Sequence, residues 1–198
     1  MSSAPTPYHH GDLRSALLDA AEQSLRQGGA ADISLRGLAR ELGVSHAAPR
    51  RHFADKQELL DAVAELGWSR VDEEMRAADL TVDGQDLQAH LIARGIRYVR
   101  FAIDNPALIE LMFAYKTSGR RPPPPPNAVG PSSIDLLVVA RRRGELAVSS
   151  GQLARAVWAQ LQGIAALAIG GFIPDVDLDA AVASGIEQLM VNTATTLA

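Results

Sequence analysis

Cationic side chains are concentrated in one short segment of the chain. Within residues 36–56 there are five lysines and arginines against two acidic residues, and two histidines lie among them. The whole chain carries a formal net charge of −4, so the segment is a local cationic surface on an acidic protein. Such a surface attracts phosphates, and arginine can also bind the edge of guanine. A solvated basic face is the alternative for an isolated cluster.

The elements around this segment follow the order of a helix-turn-helix. Ser34 is placed to cap a helix whose apolar residues recur at i, i+3, i+4 and i+7, and Gly43 ends that helix. Ser45 offers the next N-cap after a short turn, and Asp55 offers another. A capped helix, a glycine-containing turn and a second capped helix are typical of the helix-turn-helix.

The second helix of this motif is predicted to be short and to carry the cations outward. Pro49 lies near the end of its first turn, where it costs little and stiffens the helix, although it is equally compatible with a loop. Lys56 begins the following helix, where the positive end of the helix dipole attracts a phosphate. The predicted major-groove surface consists of Ser45, His46, Ala47, Arg50 and Arg51.

Three landmarks occur in the family's order, without insertions or deletions between them, across residues 8–65. They are Tyr8-His9-His10-Gly11, the stretch SLRGLARELGVS, and His52-Phe53 followed by Lys56. In this order they resemble the DNA-binding domain of TetR-type transcriptional regulators. The resemblance implies that residues 45–52 form the recognition helix, that Phe53 is a core residue, and that His52 and Lys56 hold phosphates.

The resemblance leaves one DNA contact open. Arg50 stands where the family usually has a tyrosine that touches the DNA backbone; arginine there could hold a phosphate or read guanine. Arg36, on the preceding helix, is a further candidate for a phosphate contact.

The remaining residues are predicted to form helices throughout, which makes the fold all-α. Apolar residues make up 47% of the chain, and no runs of alternating β-branched residues occur. A helix at about 86–104 is apolar on most sides and therefore central. The polar stripe of this helix (His90, Arg94, Arg97 and Asp104) is expected to face solvent, and binding of an anionic ligand is the alternative. A further helix is expected at about 132–146 after a polyproline linker. The candidate ligand-lining residues are Phe101, Met112, Phe113, Tyr115, Trp158 and Gln162.

The last two helices are predicted to hold two subunits together. Small residues recur along one face of the first of them, and such a face allows a close approach of another helix. The small residues are Ala156, Ala159, Gly163, Ala166 and Gly170, and the predicted partners on the last helix are Val182, Ile186 and Leu189. Packing of the same face within one chain is the alternative. The stretch from Trp158 also resembles the Trp-x-x-x-His-Gly helix of one TetR-type subfamily, with Gln162 in place of the histidine.

These patterns predict a helix-turn-helix DNA-binding domain at 8–55 and a helical ligand-binding and dimerisation domain at 56–198. The expected function is that of a cytoplasmic, homodimeric transcriptional regulator, usually a repressor in such families, whose hold on a palindromic double-stranded operator responds to a small, largely apolar effector. A helical adaptor that has lost DNA binding is the alternative. The chain has no cysteine, which excludes thiolate chemistry, and its histidines lack metal-ligand spacing. We therefore expect no enzyme activity, no cofactor, no metal and no membrane segment.

Overall fold

The structure, a computed structural model, describes residues 13–82, 86–113 and 149–194. Over these ranges the chain forms α-helices and short 3₁₀-helices without a β-strand, which confirms the all-α prediction. The α-helices are α1 (Leu13–Gly28), α2 (Leu35–Glu41), α3 (Lys56–Asp79), α4 (Leu87–Asp104), α5 (Pro106–Phe113), α6 (Ser150–Ile169) and α7 (Leu178–Ala194). The predictions for Tyr8–Gly11, for Tyr115, for the polyproline stretch and for a helix at 132–146 lie outside the described residues.

The chain divides into two compact units. Among the described residues, the first comprises 13–66 and 110–113, and the second comprises 67–82, 86–109 and 149–194. Two helices, α3 and α5, contribute residues to both units.

The first unit packs α1, α2 and a 3₁₀-helix at Pro49–Arg51 against one another. Ser34 caps α2 as predicted, since its hydroxyl oxygen accepts a hydrogen bond from the Gly37 amide at 3.0 Å. After α2 the chain reverses at Gly43, whose φ of 67° suits glycine, and the Val44 amide donates to the Ala39 carbonyl at 2.9 Å. A seven-residue helix is marginal by itself, so α2 depends on this cap, this turn and its buried face.

In the second unit α4 is central and packs against both α6 and α7. Gly95 lets the helices approach closely: a Cβ atom added there would lie 2.8 Å from Val182 and 2.9 Å from Leu161. Val182 and Ile186, which the sequence placed at the subunit interface, are fully buried within the chain at this crossing. They therefore stabilise the unit itself and not a second copy.

The polar stripe of α4 departs from the expectation that it faces solvent. Arg97 and Asp104 are exposed, but His90 and Arg94 are buried. The reason is Asp79, the last residue of α3, whose carboxylate accepts from Arg94 Nε at 2.6 Å and lies 3.2 Å from His90 Nδ1. A second guanidinium nitrogen of Arg94 donates to the other carboxylate oxygen. Burial of the cation is possible because this bidentate pairing compensates its charge.

Candidate nucleic-acid interface and ligand site

The segment predicted as a recognition helix is not a regular α-helix. The Ala48 amide donates to the Ser45 carbonyl at 2.9 Å, and the His52 amide donates to the Pro49 carbonyl at 3.0 Å. Pro49 has no N–H and cannot make the bond to Ser45 that an α-helix requires. The chain therefore forms a turn followed by a 3₁₀-helix at Pro49–Arg51, where the sequence predicted about two α-helical turns.

Two residues anchor this segment to the core of the first unit. Pro49 and Phe53 are both buried, which agrees with the core position predicted for Phe53. The structure matches neither interpretation left open by the sequence: Pro49 begins a 3₁₀-helix and is buried, so it neither stiffens a two-turn α-helix nor merely marks a loop. The residues predicted to face DNA are all exposed: Ser45, His46, Ala47, Arg50 and Arg51. One side of the segment is thus fixed while the other presents cations.

Lys56, the predicted phosphate contact, also has a structural role. Its Nζ donates to the carbonyl oxygen of Ala31 at 2.8 Å and so ties the start of α3 to the connection between α1 and α2. The Asp55 carboxylate accepts from the Glu58 amide at 2.9 Å, and the Glu58 carboxylate accepts from the Ala54 amide at 2.6 Å. These bonds use backbone donors at the start of α3, so an anion here would contact the Lys56 ammonium, which has further hydrogens to donate.

The first unit also carries the basic residues His52, Arg36 and Arg14. His52 is half-buried within the recognition segment, and Arg36 is exposed in the first turn of α2. Arg14 on α1 was not found by sequence reasoning; its guanidinium carbon lies 5.3 Å from the centroid of the Phe53 ring. This cation–π contact holds Arg14 beside the segment. Nothing in the spacing of the sequence links the two residues.

A cluster of large aromatic side chains with one polar pair lies in the second unit. The Tyr98 hydroxyl donates a hydrogen bond to Gln162 Oε1. The ring centroid of Trp158 lies 4.8 Å from that of Tyr98 and 6.3 Å from that of Trp68. Tyr98 is fully buried, and this burial raises the pKa of its hydroxyl well above the usual value, so the group stays protonated.

The structure brings together some of the predicted ligand residues. Trp158 and Gln162, one turn apart on α6, meet Tyr98, and Phe101 follows Tyr98 by one turn of α4 and is half-buried. Met112 and Phe113 lie on α5 in the part of the chain assigned to the first unit. Sequence reasoning missed both Tyr98 and Trp68: Tyr98 was counted as one apolar residue of the helix at 86–104, and Trp68 was not singled out. A phenol in such a helix needs a hydrogen-bond partner, and that requirement was the available signal.

Two further findings concern only the part of the chain that the structure describes. There, no three histidine or acidic side chains lie close enough together to hold a metal ion. No helix in the same ranges is long and apolar enough to cross a membrane.

The sequence matches two family models. Residues 17–63 match the bacterial regulatory proteins of the tetR family, and residues 91–189 match the tetracyclin repressor-like C-terminal domain. None of the curated proteins matches the chain.

Solved structures resemble the chain over nearly its whole length. A protein of unknown function from Rhodococcus sp. RHA1 is 35% identical with a TM-score of 0.77, and the match covers 96% of this chain and 100% of that one. A TetR-family transcriptional regulator from Pectobacterium atrosepticum is 24% identical with a TM-score of 0.63, covering 91% and 92%. A TetR variant from Acinetobacter baumannii AYE, solved in complex with minocycline, is 20% identical with a TM-score of 0.60, covering 97% and 99%.

Proposed function

We propose, since the chain belongs to the tetR family of bacterial regulatory proteins, that it is a repressor released from a palindromic operator by a small, largely apolar molecule. Members of this family are transcriptional regulators that bind DNA and are not enzymes. The observation that carries the proposal is the exposed Arg50 and Arg51 on a segment whose other side is anchored by Pro49 and Phe53.

In the proposed complex each subunit places residues 45–52 in the major groove. Arg50, Arg51, His46 and Ser45 then reach base edges, and their exposure in the isolated chain supports this. Arg36, His52 and Lys56 contact phosphates on either side, which fixes the register of the segment without reading sequence.

The proposed homodimer forms through α6 and α7. The small residues Ala159, Gly163 and Ala166 are exposed on α6, and Gly170 is exposed at its C-cap. A Cβ added at Gly163 would have none of the described residues within 4 Å. Large apolar residues close to the ends of these helices are also exposed, among them Phe172 at 78% and Val191 at 62%. A symmetric pair of subunits would cover these residues and would place two recognition segments about 34–36 Å apart.

The effector is proposed to bind in the second unit against Trp158 and Gln162, with Phe101 as a further candidate lining residue; Met112 and Phe113 belong to the first unit, and Tyr115 lies outside the described residues. The minocycline complex of the Acinetobacter protein shows a small-molecule ligand for that protein, and this supports a small-molecule effector here. Effector and operator would oppose each other through a coupling free energy of about 1–3 kcal/mol. We place this activity in the cytoplasm, where the operator DNA is accessible.

The test begins with selection of bound genomic fragments and their sequencing. Gel-shift titration of a selected fragment should then show that Arg51→Ala weakens binding by about 1–3 kcal/mol, or roughly 5- to 150-fold. Arg76→Ala is the matched control, because Arg76 is exposed on α3 in the second unit, outside both the proposed DNA-binding surface and the proposed dimer helices. Equal affinities of wild type, Arg51→Ala and Arg76→Ala would contradict the proposed reading surface.

A further inference from the structure

We propose that Tyr98 orients the side-chain amide of Gln162, so that the effector site recognises a neutral molecule through a hydrogen-bond acceptor such as a carbonyl oxygen. This inference rests on the proposed effector function and specifies the chemistry of that site. Tyr98 acts here as a positioning residue, and Gln162 makes the contact.

The orientation follows from the hydrogen bond between the two side chains. The Tyr98 hydroxyl donates to Gln162 Oε1. With Oε1 turned toward the phenol, Nε2 and its two hydrogens point away from it. Among the described residues nothing accepts a hydrogen bond from Gln162 Nε2, and the side chain is only half-buried. The available group at this position is therefore a donor.

The phenol has a strong reason to keep this bond. Tyr98 has no exposed surface, so its hydroxyl cannot turn to solvent. Leaving a buried hydroxyl without a partner costs free energy, and burial also keeps this hydroxyl protonated. Rotation of the Gln162 amide would remove the acceptor that satisfies it.

The surroundings favour a neutral molecule with an apolar body. Trp158 lies against Tyr98, and Trp68 lies against Trp158, so the nearest surfaces are flat aromatic rings. Arg94, one helical turn before Tyr98, is already bonded to the Asp79 carboxylate. Because Asp79 already compensates the charge of Arg94, Arg94 is not available as the countercharge of an anionic effector. Burial of an ion without a countercharge is costly.

The experiment compares eight-carbon probes that differ only in the polar group: 2-octanone, octylammonium and octanoate. Binding to the full chain is followed by intrinsic fluorescence, because Trp68 and Trp158 are its two tryptophans and both belong to this cluster. We expect wild type to bind 2-octanone about three- to tenfold more tightly than octylammonium, which has no acceptor, as one net hydrogen bond allows. It should also bind 2-octanone more tightly than octanoate, because burial of the carboxylate without a countercharge is costly.

Two substitutions test the assigned roles. Gln162→Glu replaces the donor with an acceptor of the same shape and should reverse the preference toward octylammonium at neutral pH. Tyr98→Phe removes the hydroxyl that fixes the amide and should narrow the ratio between 2-octanone and octylammonium. Gln23→Glu, an exposed position on α1, is the matched control and should leave the ratio unchanged.

The inference is overturned if both substitutions leave the wild-type ratio intact, or if wild type binds none of the probes up to their solubility. Gel-shift titration of the same proteins on the selected operator separates this outcome from failure of the proposed function. If the wild type retards its operator but neither substitution changes the ratio of probe affinities, only this inference fails. If the wild type retards no operator fragment, the proposed function fails.

Discussion

Replacement of Asp79 by asparagine tests whether the buried ion pair between α3 and α4 stabilises the second unit. Asp79→Asn keeps the size and shape of the side chain but removes the charge that the Arg94 guanidinium faces. The Arg94 side chain is 3% exposed and that of Asp79 is 17% exposed. The substitution therefore leaves a cation that water barely reaches.

The magnitude follows from this difference in exposure. Removal of one partner from a buried pair costs about 3–5 kcal/mol, because the remaining charge is uncompensated. The reverse substitution, Arg94→Met, leaves the more exposed carboxylate, which water can partly solvate, so we expect about 1–3 kcal/mol. The double variant should cost less than the sum of the two, with a coupling free energy of about 1–3 kcal/mol.

The measurement is urea unfolding followed by far-ultraviolet circular dichroism at one fixed protein concentration, since the stability of the proposed dimer would depend on concentration. Glu74→Gln and Arg97→Ala form the matched control. Glu74 and Arg97 join the same two helices at 3.6 Å, but their side chains are 45% and 50% exposed. Exposed pairs of this kind contribute at most about 1 kcal/mol.

The reasoning is refuted if Asp79→Asn and Glu74→Gln lower the free energy of unfolding equally. It is also refuted if the effects of Asp79→Asn and Arg94→Met simply add, because additive effects would mean that the two side chains do not stabilise each other.

Three further predictions concern the cap of α2, the buried phenol and the exposed face of α6. Ser34→Ala should lower the free energy of unfolding by about 1 kcal/mol through loss of the bond to the Gly37 amide; an unchanged urea midpoint would contradict this. Burial raises the pKa of Tyr98, so the folded protein keeps the phenol proton to a higher pH than the unfolded chain does. The contribution of Tyr98 to the free energy of unfolding is therefore complete below about pH 10 and falls above it by about 1.4 kcal/mol per pH unit. Tyr98→Phe should remove this part of the pH dependence, measured by urea unfolding at a series of pH values. Gly163→Arg should convert the proposed dimer to a folded monomer, measured by light scattering and circular dichroism, since a Cβ added at Gly163 would meet none of the described residues within 4 Å; a dimer that survives would argue against this face.

Local features of the molecule could be predicted because their causes are local in sequence. The cap at Ser34 and the reversal at Gly43 depend on residues within four positions of each, and the structure has both. The helical periodicity of the apolar residues fixed the all-α class in the same way. The irregular path at residues 45–52 also has a local cause, since Pro49 lacks the N–H that an α-helix needs there. Local sequence does not show whether such a proline is absorbed in an α-helical first turn or changes the helix type.

The sequence by itself predicted the cap of α2, the turn after it and the exposure of Arg50 and Arg51, and the structure has all three; that residues 45–52 read DNA stays a prediction. Only the tertiary structure decided that Arg94 and His90 are buried with Asp79, that Val182 packs on Gly95, and that Tyr98 meets Gln162. Each of these pairings joins residues on different helices, whose facing depends on packing of the whole unit. A helical repeat specifies which side chains share a face but not what lies opposite that face, and a polar group's burial depends on what lies opposite.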